Sequence, residues 1–185
     1  FLTQIDHEND PLGKKLAKLE FGTSTGRQRM VGWFDAVEKG NSLRYGGFDE
    51  LVINKLDALT LDDGLDCQLK ICIAYQLPDG SLTTNVPRIE EIRKTLTPVY
   101  ENLNGWEEDI SAITSYDKLP FNAKVYVSRM VGSLLEVAYP DGYSGISLPK
   151  IRFVGVGPDP GQIISDIPST QKLVADQTLA PNALS

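Results

Sequence analysis
The sequence predicts an α/β fold, and three observations carry that expectation. Short apolar runs at 50–59, 67–77 and 150–161 have the length and composition of strands. Segments 88–96 and 122–138 read as helices placed between them. Strands that alternate with helices imply α/β or α+β layering, because each helix must bury its apolar stripe against a sheet.

In chain order, residues 1–13 read as irregular. Residues 13–22, GKKLAKLEFG, suit a short helix or an edge strand. Residues 22–32, GTSTGRQRMVG, form a loop rich in glycine and hydroxyl groups, with two arginines. A helix is expected to open at about Gly32–Val37. Gly40, Asn41, Gly46 and Gly47 argue against its continuation, since an interior glycine costs about 1 kcal/mol relative to alanine. ELVINKLDAL (50–59) reads as a buried-type strand with a polar tetrad at its end. CQLKICIAYQL (67–77) is a strand, PDGS (78–81) a turn, and LTTNV (82–86) its returning partner. RIEEIRKTL (88–96) is a short helix and TPVYENLNGW (97–106) an extended piece. NAKVYVSRMVGSLLEVA (122–138) is the best-patterned helix, with Pro120 near its start and Val127, Val131, Leu134 and Leu135 on one face. YPDGYSGISLP (139–149) is a loop, and KIRFVGVGPDPG (150–161) a strand ending in glycine and proline. The stretch 1–165 forms the main unit, and 166–185 reads as an extended or poorly ordered tail.

The composition excludes several function classes. The 185 residues are 41% apolar and 23% charged, enough for one domain with a real core. A net charge of −7 argues against a nucleic-acid groove or an anionic membrane as a general partner, while leaving room for a local cationic pocket. No run of apolar residues is long enough to span a bilayer. Cys67 and Cys72 lie an odd number of residues apart on one strand, so they face opposite ways and no mutual disulfide is expected. No metal-type cysteine spacing occurs, and a reducing, cytoplasmic setting fits. The N-terminus has neither an initiator methionine nor a signal peptide, which reads as a processed product or a piece of something longer.

Three stretches can carry chemistry. In TSTGRQR (23–29), Thr23, Ser24, Thr25 and Gly26 precede Arg27 and Arg29. Backbone N–H groups near a glycine, with guanidinium forks beside them, form a receptor for carboxylate or phosphate. Arg27 and Arg29, two apart in an extended loop, would point toward one anion or two adjacent ones. The same residues also suit a solvated surface loop. NKLD (54–57) is the second stretch. GTP-binding proteins of the Ras type use N-K-x-D to read guanine: an Asp carboxylate accepts the N1–H and N2–H donors that adenine lacks. Four letters also arise at an ordinary strand edge. In the third stretch, FVGVGPDPG (153–161), glycines allow a flat ligand to approach the backbone, or simply make a turn. No G-x-x-x-x-G-K-[ST] loop is present. His7, the only histidine, has no partner for catalysis in sequence, and Asp62-Asp63 and Glu107-Glu108-Asp109 read as exposed acidic turns.

Taken together, these stretches resemble the C-terminal part of the adenylosuccinate synthetase family. That family carries TTGRxRRxGWxD, then TKLDVL, a CVAY strand with a DG turn, PVYE…GW, and a late strand running into GP. The matching segments are TSTGRQRMVGWFD (23–35), INKLDAL (53–59), KICIAYQLPDG (70–80), PVYENLNGW (98–106) and FVGVGPD (153–159), in the same order. The resemblance implies a GTP-dependent ligase that joins IMP to L-aspartate with Mg²⁺, giving adenylosuccinate, GDP and phosphate, from a full-length cytoplasmic homodimer. It assigns Thr23, Ser24, Thr25, Gly26, Arg27 and Arg29 to the loop that takes aspartate and reaches IMP. It assigns Arg29, Lys55, Asp57, Gly155 and Gly157 to GTP. Asn54 stands where the family has Thr, and it takes no Ras-type role.

The resemblance also implies what lies elsewhere. The family's phosphate-binding loop, its catalytic Asp and His, its Mg²⁺ site and most of its IMP pocket belong to an N-terminal portion. The chain is therefore expected to be the C-terminal part of a larger, mostly parallel sheet with flanking helices, inactive by itself. Met30 and Pro160 replace family arginines, which leaves contacts from those side chains without a counterpart. A non-catalytic nucleotide-binding module is the rival reading, and a ligase for another purine nucleotide or amino acid a third. The reading frame upstream of Phe1 separates the first two.

Overall fold
Strands and helices alternate as expected through residues 2–22, 24–65 and 68–176, which the computed structural model describes. In order they are α1 (Pro11–Leu19), β1 (Phe34–Asp35), α2 (Ala36–Gly46), β2 (Glu50–Ile53), β3 (Gln68–Gln76), β4 (Leu82–Thr83), α3 (Glu90–Arg93), β5 (Thr97–Asn104), α4 (Phe121–Ala138), β6 (Lys150–Gly155), β7 (Ile163–Ile164) and α5 (Thr170–Asp176). Single 3₁₀ turns fill Leu56–Leu59 and Tyr116–Lys118.

The strands form two mixed sheets where one mostly parallel sheet was expected. In the first, β3 is the hub, parallel to β1 and antiparallel to both β4 and β5. In the second, β6 runs parallel to β2 and antiparallel to β7. The PDGS turn makes β4 return on β3 as its residues suggest. A central strand covered on both faces needs apolar residues throughout, and Leu69, Ile71, Cys72, Ala74 and Tyr75 are all buried. A register shift between Cys72 and Ala74 adds a residue to β3. That shift turns the strand so that Cys72 and Tyr75, an odd three apart, enter the same small apolar cluster with Val37 and Leu96. Burial pushes the free Cys72 thiol up to about 12, which leaves it an inert packing group. Cys67 lies outside the described residues. β2 is less buried than its composition suggests, with Val52 45% exposed.

The first long helix opens within the expected stretch and corrects the sequence reading at its end. It starts at Ala36, because Phe34 and Asp35 are drawn into the sheet opposite Ile71 and Cys72. Asp35 then caps it, its Oδ1 accepting from the Glu38 N–H at 3.0 Å. It also continues through Gly40 to Gly46. A Cβ at Gly40 would lie 2.5 Å from Val137 Cβ and 2.9 Å from the Leu134 carbonyl oxygen. The glycine is there so that α2 can lie close on α4, a gain in packing that outweighs its low helix propensity. Gly47, at φ +63°, ends the helix by donating its N–H to Leu43 O.

Helix α4 is the core element. Ala123, Tyr126, Val127, Met130, Val131, Leu134, Leu135, Val137 and Ala138 are buried, including the whole predicted face. Arg129 reaches β5 through a bidentate pair with Glu101, at 2.9 and 2.5 Å. Arg44 of α2 donates to the Val137 and Ala138 carbonyls at the end of α4. The expected tail departs from extended structure at Thr170–Asp176: α5 packs on α4, burying Thr170 and Leu173. Residues 177–185 lie outside the described residues.

The Asp35 carboxylate does double duty, since Oδ2 accepts the buried Tyr75 hydroxyl at 2.6 Å. Asp35→Ala should cost about 2–4 kcal/mol: roughly 1 for the lost cap and about 1–3 for a tyrosine hydroxyl without its acceptor. Tyr75→Phe should cost about 1–2 kcal/mol. Urea unfolding of the two variants and their double mutant checks this, with the two losses adding to more than the double mutant's loss. An Asp35→Ala cost no larger than that of Tyr75→Phe would remove the cap from the account.

Candidate functional site
After α1 the chain doubles back on itself. Arg29 N–H donates to Glu20 O at 2.9 Å, Gly22 N–H to Arg27 O at 2.8 Å, and Phe21 bridges Gln28 in antiparallel fashion. Gly26 supplies the left-handed φ of +63° that closes the tip. The arginine loop is thus a small hairpin, and Ser24, Thr25, Gly26, Arg27 and Arg29 are all exposed on it. Thr25 Oγ1 accepts the Arg27 N–H at 3.3 Å. Thr23 lies outside the described residues. Arg29 Nη1 lies 3.6 Å from Glu20 Oε2, whereas the Arg27 side chain has no hydrogen bond or ion pair among the described residues.

The second element follows β2. Lys55, at φ 61° and ψ 37°, is the one non-glycine residue with positive φ among the described residues. This conformation costs an L-residue about 1–2 kcal/mol, and strain of this kind collects at ligand sites. Here it makes the corner between β2 and the 3₁₀ turn, which buries Leu56 and leaves Asp57 half-buried. Asp57 Oδ1 is shut off from solvent and meets no hydrogen-bond donor among the described residues. An acceptor in that state costs about 1–3 kcal/mol unless a donor reaches it.

The corner is held from several sides. The Trp106 indole N–H donates to Thr60 Oγ1 at 3.1 Å, and Leu61 N–H donates to Trp106 O at 2.7 Å. Lys15 Nζ donates to Thr60 O at 2.5 Å and to Asp62 Oδ1 at 2.9 Å. Gly105 leaves room for Leu61, whose Cδ1 would lie 2.5 Å from a Cβ there. Gly155, buried at the end of β6, lies against the backbone of the corner, where a Cβ would sit 3.2 Å from Asn54 Oδ1 and 3.6 Å from Lys55 N. Gly157 has a different reason. A Cβ there would meet the Gln162 side chain at 2.3 Å, and Gln162 binds Asp159 N–H and Ser111 O.

Glu20 joins the two elements, and the sequence reading missed it. Its Oε1 accepts from Lys55 Nζ while Oε2 faces Arg29. Glu20, Met30, Asn54 and Lys55 line a cleft of about 350 Å³ whose apolar wall includes Trp33 and Tyr126. Nothing in the linear pattern marks Glu20, because only the hairpin pairing brings it beside Arg29. Met30 is 65% exposed, an apolar side chain on a cleft where an arginine was expected. His7 is exposed. Among the described residues no three His, Cys, Asp or Glu side chains gather to hold a metal ion. No helix among them is long and apolar enough to cross a membrane.

Comparison with known proteins gives a consistent result. The family model described as adenylosuccinate synthetase matches residues 1–164. An adenylosuccinate synthetase from Bacillus cereus is 39% identical over 156 residues, which cover 83% of this chain and 32% of that protein. The structure of a fully ligated adenylosuccinate synthetase from Plasmodium falciparum superposes with a TM-score of 0.72 at 31% identity, covering 89% of this chain and 35% of that one. The chain therefore spans about a third of the length of these relatives.

The strained corner makes a separable prediction about stability. Lys55→Gly should leave folding stability unchanged or raise it by up to about 1 kcal/mol, relief of left-handed strain being partly offset by the freer unfolded chain. Urea unfolding tests it, and a loss above about 1 kcal/mol would mean that the Glu20 ion pair outweighs the strain.

Proposed function
The chain belongs to the adenylosuccinate synthetase family, and on that premise we propose that it supplies the aspartate loop and the guanine-reading corner of a GTP-dependent ligase. The reaction joins IMP to L-aspartate and yields adenylosuccinate, GDP and phosphate. The single observation that carries the reading is the strained corner that sets Asp57, half-buried and with one oxygen that meets no donor among the described residues, two positions from Lys55. Guanine presents the N1–H and N2–H pair such a carboxylate lacks, and adenine does not. A carboxylate held this way discriminates because the wrong base leaves it unpaired.

The remaining residues take roles consistent with their surroundings. Lys55, strained into place beside Asp57, lays its stem toward the base. Gly155 keeps a side chain away from the corner's backbone. Gly157, assigned to GTP by resemblance, has its own packing reason in Gln162, so its part in binding is confined to backbone groups. Ser24, Thr25, Gly26, Arg27 and Arg29 form the anion-receiving hairpin, and Thr23 is assigned to the same role by resemblance alone. Arg27, exposed and without a side-chain partner among the described residues, is available for the aspartate carboxylates, and Arg29 for aspartate or the nucleotide phosphates. Such a transfer depends mainly on positioning and charge neutralisation. The Mg²⁺ that accompanies GTP has no ligand set among the described residues.

Two measurements on the full-length protein test these roles. Asp57→Asn should lower the GTP-over-ATP preference in kcat/KM by at least about 100-fold, since the selective acceptor is gone. A variant with undiminished preference would refute the guanine assignment. Arg27→Leu should raise the aspartate KM at least about 10-fold with the GTP KM little changed, as expected for loss of a guanidinium–carboxylate contact. Equal effects on both KM values would place Arg27 elsewhere.

A further inference from the structure
Glu20 sits at the base of the hairpin, across from Arg29, and among the described residues its side chain is the one paired with a cation from both elements. We propose that Glu20 is a positioning latch: its carboxylate holds Arg29 of the hairpin and Lys55 of the corner, and it yields Lys55 when a guanine nucleotide binds. The inference rests on the reading of Lys55 as a guanine contact and goes beyond it in making that contact conditional.

The geometry supports a latch over a fixed strut. The Glu20 side chain is only 17% exposed, whereas Lys55 and Arg29 are 59% and 60% exposed. The carboxylate is therefore the sheltered, anchored partner, and the cations are the long, solvent-facing ones that can swing away. Its own backbone is pinned by the Arg29 N–H to Glu20 O bond. Two cations on one carboxylate also allow exchange. When Lys55 leaves, Arg29 remains to neutralise the half-buried anion, so no uncompensated charge is created. An ion pair with so exposed a cation is weak, and a nucleotide can break it. Glu20 and Lys55 both face the 350 Å³ cleft, so the released ammonium stays beside the space a ligand would enter. The hairpin then feels the occupancy of the corner through its remaining pair with Arg29.

The test titrates the full-length protein with GDP, using ADP as control. A purely structural Glu20 would leave the Glu20→Gln variant with weakened GDP binding. A latch predicts the opposite: Glu20→Gln should bind GDP roughly 2–5-fold tighter, the size expected for removing an exposed competing pair. The gain should vanish in a Lys55→Met background. Glu20→Asp, whose shorter reach loosens the same pair, should show a smaller gain and decides the matter if the Gln variant does not fold. Unchanged or weaker binding overturns the latch. A gain that persists with Lys55→Met also overturns it, since Glu20 would then act only as a repelling charge. If the wild type shows no preference for GDP over ADP, or Asp57→Asn binds GDP as well as the wild type does, the guanine reading falls and the latch with it. That pattern is distinct from the latch failing alone.

Discussion
One carboxylate organises the first sheet and the helix pair beside it. Asp35 is 8% exposed and satisfies two demands that meet at the end of β1: an open N–H at the start of α2 and a buried hydroxyl from Tyr75. A buried acid is tolerable only when its oxygens find donors, and here each oxygen has one. The consequence runs outward. With α2 started at Ala36, Gly40 falls opposite Val137, and the two helices close to a distance that no side chain at that position would allow. Arg44 then reaches the last carbonyls of α4. The same α4 carries Met130 and Tyr126 to the wall of the cleft. Helix α4 thus joins the packing of α2 to one wall of the cleft.

The corner that bears Lys55 and Asp57 shows a second constraint, which is the cost of keeping a polar group ready. A left-handed lysine and an acceptor without a donor each destabilise the folded chain. Neither would persist unless neighbours over-determined the turn. The Trp106 indole, the Leu61 amide, Lys15 and the bare surface of Gly105 and Gly155 are those neighbours. Stability is spent at the corner and recovered around it, as the proposed binding role would require.

Much of the fold was legible from residue pattern. The strands at 68–76 and 150–155, the PDGS return and the helix from Phe121 follow from period and turn chemistry alone. What escaped was decided by packing between distant segments. Gly40 reads as a helix breaker until Val137 lies against it. Cys72 and Tyr75, three apart on one strand, share a cluster only because a distant pairing places a bulge between them. Residues 170–176 have no strong period, yet α5 packs on α4 with Leu173 buried in the core. The site divides in the same way. Arg27, Arg29, Lys55 and Asp57 of the proposed site stand out by residue type, because anion and base recognition would need such groups. Glu20 could not, because its role exists only once Arg29 and Lys55 have been brought to it.

This division explains what the shared motif letters are for. In GWFD, the chemistry-bearing type is Asp35, yet it caps a helix and holds Tyr75 of the AY pair. In PVYE, Glu101 locks Arg129 of the core helix. In NGW, Gly105 and Trp106 brace the turn after Asp57. These charged and aromatic residues are fully engaged with one another, and a group already bonded on both sides has nothing left to offer a ligand. Asp57 Oδ1 and the Arg27 guanidinium lack such partners among the described residues. The satisfied groups of these motifs set distances within the fold, and Asp57 and Arg27 are the groups that the proposed reading connects with substrates.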